Sequence, residues 1–195
     1  MEDVLGAILA GGRGTRLDRP KPTASLGGRP LIERPLGALE AAGLDTVVVA
    51  KRDTALPPGV APVWEEPDEP VHPLLGIVTA VEQADERPVL VCACDLPFLT
   101  PELVGHIARI DAPLVIPRAG GRLHPLFARY TAALLPGLRE ALAQQAALHE
   151  SLVALHPSIV DEQDLRAFGD PARLLFNVNT PEDLERAEEM LSGGA

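Results

Sequence analysis

Lysine and asparagine are scarce in this sequence. Lys21 and Lys51 are its only lysines, since all other basic side chains are arginines, and Asn177 and Asn179 are its only asparagines. Because the chain uses these residue types so rarely, the positions that carry them become candidates for function.

Long apolar runs are also absent. Although 46% of the residues are hydrophobic, no stretch approaches the roughly 18 to 20 uninterrupted apolar residues of a membrane-spanning helix. The acidic start of the chain and the brief apolar run at residues 4–10 do not resemble a signal peptide. We therefore expect a soluble, cytoplasmic protein with no membrane partner. Its 195 residues fit one domain, spanning residues 1–195.

Cysteine is nearly missing as well. Cys92 and Cys94 lie two apart in an apolar run, and no second Cys or His pair is spaced to complete a zinc site. As alternate residues of a strand, they would face the same side of a sheet. We predict that both are reduced and buried, as free cysteines commonly are.

Positive charge is in deficit. The chain has 28 acidic and 17 basic side chains and a net charge of -11, which argues against binding to nucleic acids or to anionic membranes. A polyanionic ligand would therefore have to be met by a local cluster of positive groups.

Strand and helix patterns alternate along the chain. Continuous apolar or β-branched runs predict strands at residues 4–10, 46–50, 62–64, 89–93, 114–116, 126–130 and 158–160. Apolar residues at helical spacing predict helices at residues 31–42, 74–83, 101–110 and 181–191 and a mostly helical stretch at 132–148, with Thr100 and Thr180 as N-caps before prolines. The alternation predicts an α/β fold with three α-β-α layers, a mostly parallel sheet, and a ligand beyond the carboxyl ends of the strands.

A glycine-rich turn follows the first predicted strand. Gly11, Gly12 and Gly14 would let backbone N–H groups converge on an anion. The segment lacks the Gly-Lys-Ser/Thr of a Walker loop, and Leu17 stands where the third glycine of a dinucleotide fingerprint belongs. For the glycines alone, a phosphate-binding loop and a plain tight turn are both open.

Positive side chains favour the phosphate-binding interpretation. Lys21 stands between two prolines, nine residues beyond Gly12, in a stiff segment that can double back toward the turn. Arg13, Arg16 and Arg19 lie in the same stretch. In an acidic protein this concentration predicts a polyphosphate pocket, with a solvated surface cluster as the alternative.

Asp95 directly follows the apolar strand predicted at residues 89–93. Mg²⁺ prefers a few carboxylate oxygens together with phosphates and water, so an aspartate at a strand end beside a phosphate loop is a candidate magnesium ligand. Local capping of the turn is the alternative, and the pairing with the glycine turn favours the metal.

The two asparagines lie immediately before the last predicted helix. In an extended segment Asn177 and Asn179 point the same way and could offer amides to a ligand, or they could merely cap the turn. Because the glycine turn already accounts for a triphosphate, we predict that they serve the acceptor side.

These motifs occur in the order seen in the molybdenum cofactor guanylyltransferase family, a branch of the nucleotidyltransferase superfamily, which the sequence resembles over nearly its whole length. They are Leu9-Ala10-Gly11-Gly12, the Lys21 segment, Gly27-Gly28-Arg29-Pro30-Leu31, Pro73-Leu74-Leu75-Gly76, Cys94-Asp95-Leu96-Pro97, His124-Pro125 and Asn177-Val178-Asn179-Thr180-Pro181. The last of these motifs and the compact length favour this branch. The resemblance implies a Rossmann-like nucleotidyltransferase fold and transfer of GMP from GTP to molybdopterin, with release of pyrophosphate.

The resemblance also implies roles for individual residues. The nucleotide-binding set is Leu9, Ala10, Gly11, Gly12, Lys21, Glu66 and Asp95; the catalytic set is Lys21, Asp95 and Arg16; and Asp95 would hold Mg²⁺. Ala50 and Glu66 stand where the family often has Asn and Asp, so base specificity stays open. GTP and molybdopterin would be the partners, with transient contacts to other proteins of molybdenum cofactor synthesis.

Two alternatives remain at this point. Thr15-Arg16-Leu17 and Pro20-Lys21-Pro22 look like sugar-phosphate nucleotidyltransferases, which makes transfer to another small phosphate the second enzymatic interpretation. A nucleotide-binding regulatory subunit without turnover is an alternative of a different class, and the retention of Lys21 and Asp95 argues against it.

Overall fold

The computed structural model describes residues 3–12, 17, 20–60 and 62–193. Its strands are β1 (Leu5–Leu9), β2 (Ser25–Leu26), β3 (Arg29–Pro30), β4 (Asp45–Ala50), β5 (Val63–Glu65), β6 (Val89–Ala93), β7 (Leu114–Ala119), β8 (Arg122–Leu123), β9 (Phe127–Tyr130) and β10 (Ser158–Val160). Its helices are α1 (Glu33–Ala41), α2 (Pro73–Gln83), α3 (Pro101–Arg109), α4 (Leu135–Ala143), α5 (Leu148–Ala154), α6 (Glu162–Leu165), α7 (Pro171–Leu174) and α8 (Pro181–Ser192). Among these helices none is long and apolar enough to cross a membrane.

The central sheet has the strand order β10-β7-β9-β6-β1-β4-β5. Strands β6, β1, β4 and β5 run parallel, and Leu9 at the end of β1 pairs with Ala93 of β6 and with Val49 of β4. Only β9 opposes its neighbours in this order, since it is antiparallel to both β6 and β7 within the described chain. The carboxyl ends of four adjacent strands therefore meet at one edge of the sheet.

Helices cover both faces of the sheet, which confirms the predicted three-layer α/β architecture. Ile8 of β1 packs into a buried cluster with Leu39 of α1 and Ile107 of α3. Its neighbour Ala7 faces the opposite cluster, which contains Ile77 of α2. Every residue of β6 is buried, as expected for a parallel strand that is covered on both sides.

The two cysteines are free and buried, as predicted. Cys92 and Cys94 belong to the same apolar cluster. The pKa of the Cys94 thiol is raised to about 12, and burial is the largest cause of this rise. Both side chains are therefore neutral, apolar packing groups at physiological pH.

The stretch predicted as mostly helical at 132–148 is confirmed up to Ala143 and is then interrupted. A short 3-10 turn at Ala132–Leu134 precedes α4, which ends at Ala143, and α5 begins only at Leu148. Gln145 adopts a left-handed φ of 49°, and the N–H groups of Gln145 and Ala146 donate to the carbonyls of Leu142 and Ala141. Helices that end with this hydrogen-bond pattern usually have glycine at the left-handed position. Because the residue here is glutamine, the sequence did not indicate that the helix ends.

A hairpin between β2 and β3 was not predicted. Gly27 and Gly28 form its turn with φ values of 60° and 75°, a left-handed pair that a two-residue hairpin favours. Leu26 of this hairpin packs with Val178 and with Ala187 of α8 in a third apolar cluster. The cluster fixes the C-terminal segment beside the carboxyl edge of the sheet.

The start of α8 is fixed by a reciprocal cap. The Thr180 hydroxyl accepts a hydrogen bond from the Asp183 N–H, as predicted, and Asp183 Oδ2 accepts from the N–H groups of Thr180 and Asn179. A capping box of this kind satisfies N–H groups that have no partner within the helix. Here it also fixes the backbone of Asn179.

We expect Thr180→Ala to lower the free energy of unfolding by about 1 kcal/mol, because the Asp183 N–H loses its acceptor. In a chain of this size the loss corresponds to a fall of about 2 to 4 °C in Tm. Thr180→Ser keeps the hydroxyl and is the matched control. Thermal melts that show equal losses for the two variants would contradict the role of the cap.

Candidate active site

A pocket of about 300 Å³ opens at the carboxyl edge of the parallel strands. It is lined by all seven residues of the predicted nucleotide-binding set: Leu9, Ala10, Gly11, Gly12, Lys21, Glu66 and Asp95. Lys51, Val71, His72, Pro73, Gly76, Ala93, Cys94 and Leu126 complete the lining. The structure thus brings together residues from the ends of β1, β4, β5 and β6.

The turn after β1 forms the pocket wall nearest the sheet. The Ala10 N–H donates to the Val49 carbonyl of β4, and the Leu9 carbonyl accepts from the Cys94 N–H, so the chain stays paired past the end of the strand. A Cβ on Gly11 would come within 2.7 Å of Glu66 Oε2, whereas a Cβ on Gly12 would meet no atom of the described residues within 4 Å. A side chain at position 11 would therefore displace the Glu66 carboxylate from its present place.

Lys21 reaches the pocket from a short 3-10 turn between residues 21 and 23. Its ammonium donates to Asp95 Oδ2 at 2.7 Å and to Asn179 Oδ1 at 2.7 Å, and 18% of the side chain is exposed. The segment doubles back toward the glycine turn as predicted. Arg13, Arg16 and Arg19 lie outside the described residues, so the structure leaves the predicted catalytic role of Arg16 as a prediction.

Asp95 joins the end of β6 to the C-terminal segment. Oδ1 of its carboxylate accepts from the Asn177 amide at 3.1 Å, and its backbone carbonyl accepts from the Val178 N–H at 3.0 Å. With Lys21 on Oδ2, both oxygens of this buried carboxylate have donors. Asp95 therefore links the end of β6 to Lys21 and to the segment before α8.

Both asparagines point toward this ion pair, as their spacing predicted. The Asn177 amide donates to Asp95, and the Asn179 amide oxygen accepts from Lys21. Neither side chain caps α8, since that position belongs to Thr180. Their amides are thus part of the charged cluster at the pocket and are not simply turn formers.

A second ion pair lies at the opposite side of the pocket. Lys51 follows β4 and Glu66 follows β5, and Lys51 Nζ stands 3.5 Å from Glu66 Oε1. Burial raises the pKa of the Glu66 carboxyl, and the neighbouring Lys51 ammonium opposes that rise. Glu66 was predicted at this site, whereas Lys51 was noted only for the scarcity of lysine in the chain.

Two other pocket residues carried weaker signals in the sequence. Gly76 belongs to a motif of the resemblance, and a Cβ there would come within 2.9 Å of Glu66 Oε2. His72 was not predicted, because a lone histidine before a helix has no distinctive pattern. Its Nδ1 accepts from the Leu74 N–H, so it is the N-cap of α2.

The pocket offers a place for a cation beside a single carboxylate. Within the described residues, no group of three or more His, Cys, Asp or Glu side chains is arranged to hold a metal ion. Yet the Lys21 ammonium already lies between Asp95 Oδ2 and Asn179 Oδ1, so this spot accommodates positive charge. One carboxylate suits Mg²⁺ that arrives with phosphate ligands, and it does not suit a metal held by protein groups alone.

Comparison with known proteins shows the family to which the chain is related. Residues 6–159 match the family described as the MobA-like NTP transferase domain. A probable molybdenum cofactor guanylyltransferase from Pelotomaculum thermopropionicum is 33% identical over 97% of this chain and 94% of its own, and one from Natronomonas pharaonis is 32% identical over 98% and 100%.

A solved structure extends the likeness to three dimensions. Molybdopterin-guanine dinucleotide biosynthesis protein A from Archaeoglobus fulgidus is similar with a TM-score of 0.77 and 28% identity, covering 96% of this chain and 98% of that one. The fold, the motifs and the sequence likeness agree over nearly the full length. The chain therefore belongs to the MobA-like nucleotidyltransferase family, as its motifs predicted.

Proposed function

We propose that the protein transfers GMP from GTP to the phosphate of molybdopterin and releases pyrophosphate, in a reaction that requires Mg²⁺. The observation that carries this proposal is the meeting of Lys21, Asp95 and the two asparagines at the mouth of a pocket that begins with the glycine turn. The full-length relatives named as molybdenum cofactor guanylyltransferases support the choice of acceptor over a sugar phosphate.

The triphosphate would lie along the glycine turn. Among the described residues, no atom lies within 4 Å of where a Cβ on Gly12 would stand, so none of them blocks a ligand from its backbone. Lys21 would turn its ammonium from Asp95 toward the phosphates, because its side chain is 18% exposed and the ammonium sits on a flexible stem. At the far side, Glu66 would contact the nucleoside.

The acceptor needs no side-chain base in this proposal. A phosphate monoester has a second pKa of about 6, so its attacking oxygen is already largely ionised at neutral pH. The obstacle is repulsion between two anions, which Lys21 lowers by charge and the glycine turn lowers by positioning. Asp95 would hold Mg²⁺, whose chemistry is to neutralise charge on the reacting phosphates.

The function is tested by supplying the purified protein with GTP, Mg²⁺ and molybdopterin and measuring both products. We expect equal amounts of pyrophosphate and of the guanine dinucleotide. Parallel reactions with CTP and with sugar 1-phosphates test the alternative acceptor class. Faster turnover with a sugar phosphate than with molybdopterin would overturn the proposed acceptor.

We expect Asp95→Asn to lower kcat/KM by about 100-fold or more, because it removes a charge at the metal position without removing core volume. Pyrophosphate release measured as a function of Mg²⁺ concentration checks this. Asp111→Asn is the matched control, since Asp111 is exposed before β7 at the other end of the sheet. Wild-type activity of Asp95→Asn at limiting Mg²⁺ would remove Asp95 from the metal site.

For Asn177 we expect aspartate to be worse than alanine. Alanine deletes the donor to Asp95, whereas aspartate places a second carboxylate against it and also faces an anionic acceptor. We expect KM for molybdopterin to rise about tenfold or more in Asn177→Asp while the Kd for GTP changes less. Separate titrations of the two substrates decide this, and an aspartate variant with normal acceptor kinetics would assign Asn177 a structural role only.

A further inference from the structure

Lys51 is the second of the two lysines of the chain, and it lines the same pocket as the first. It lies directly after β4, and its side chain is only 11% exposed. The proposed transfer chemistry does not use it. A buried ammonium that is not needed for phosphates requires a reason, because burying a charge is costly unless the charge is paired.

The Lys51 ammonium is fully occupied by protein oxygens. It donates to the Pro67 carbonyl at 2.7 Å and to the Asp68 carbonyl at 2.8 Å, and it lies 3.5 Å from Glu66 Oε1. An ammonium has three donors, so these three oxygens exhaust them. Lys51 therefore acts on the segment of residues 66–68 and leaves no donor for a ligand.

On its other side the Glu66 carboxylate lies close to the backbone of two glycines. Oε2 lies so close to Gly11 and Gly76 that a Cβ on either glycine would approach it within 2.7 and 2.9 Å. Glu66 is 8% exposed, and its N–H donates to the Ala50 carbonyl. The carboxylate is thus a fixed acceptor in the pocket wall, between the turn after β1 and helix α2.

A carboxylate held in one orientation favours ligands that present two adjacent N–H donors. Guanine has such an edge, formed by N1–H and the 2-amino group. Adenine and cytosine place one amino group beside a ring nitrogen that accepts, and uracil places one N–H between two carbonyls. Among the common bases, only guanine offers this carboxylate two donors side by side.

We propose that Lys51 is a positioning residue that determines base selection, because its contacts orient the Glu66 carboxylate to accept from the N1–H and 2-amino groups of guanine. This inference rests on the proposed function and adds the element that chooses the nucleotide. Lysine suits the position better than arginine, since a compact ammonium can point three donors at three separate oxygens, whereas a guanidinium is a planar fork.

The test is the binding preference for GTP over ITP, which lacks only the 2-amino group. For the wild-type protein we expect GTP to bind about tenfold or more tightly than ITP, as for one hydrogen bond to a charged group. In Lys51→Met, which keeps the length of the side chain, we expect the preference to fall below about threefold. Calorimetric titration with each nucleotide in Mg²⁺ needs no acceptor.

Three further variants separate positioning from a general structural role. Arg52→Met is the matched control. Arg52 follows Lys51 directly and also pairs with a carboxylate, that of Glu65, but its side chain is 83% exposed. It should leave the GTP/ITP preference unchanged.

Glu66→Gln should lose the preference. Lys51→Met combined with Glu66→Gln should be no worse than either variant alone, since both residues act through one carboxylate. Lys51→Arg should lose part of the preference, which provides a second variant should Lys51→Met unfold.

The possible results are distinguishable. Equal loss of GTP and ITP binding in Lys51→Met, with the preference intact, would overturn the proposal in favour of a structural role. A wild-type preference for GTP over dGTP that disappears in Lys51→Met, with GTP over ITP unchanged, would assign Glu66 to the ribose and overturn base selection. Failure to form any dinucleotide would overturn the proposed function alone, because the binding preferences would still decide the role of Lys51.

Discussion

The pairing of Lys21 with Asp95 is the interaction on which the site depends. It joins residues 74 positions apart, and the contact from Lys21 to Asn179 spans 158 positions. A buried carboxylate and an ammonium at the sheet edge each require the other, since removing one partner would strand the other charge. The 3-10 turn at Lys21–Thr23, the end of β6 and the segment before α8 are consequently held together.

Charge balance explains the composition of the pocket. In a chain with a net charge of -11, the pocket places each of the two lysines against one carboxylate, Lys21 with Asp95 and Lys51 with Glu66. A triphosphate entering this pocket adds negative charge that these pairs do not neutralise by themselves. Backbone N–H groups at the glycine turn and a divalent cation are therefore the natural complement to the described side chains.

The two pairs differ in how much freedom they leave. Lys21 has one carboxylate and one amide partner, and its side chain is 18% exposed, so its ammonium can move toward a ligand. Lys51 has three oxygens around it and is 11% exposed, so it stays with the segment of residues 66–68. One lysine suits transfer chemistry and the other suits fixed recognition.

By itself the sequence determined the features that depend on neighbouring residues: the seven strands of the central strand order, most helices, the caps at Thr100 and Thr180, and the glycine turn. It did not predict the break after Ala143, because Gln145 adopts a left-handed φ that its residue type does not indicate. Only the tertiary structure decided that Lys51 reaches Glu66, that Gly11 and Gly76 enclose this carboxylate, and that the asparagines meet Asp95 and Lys21. The physical reason is that strand order, and not sequence distance, sets which strand ends are adjacent, and the energy of a buried charge depends on the partner it meets there.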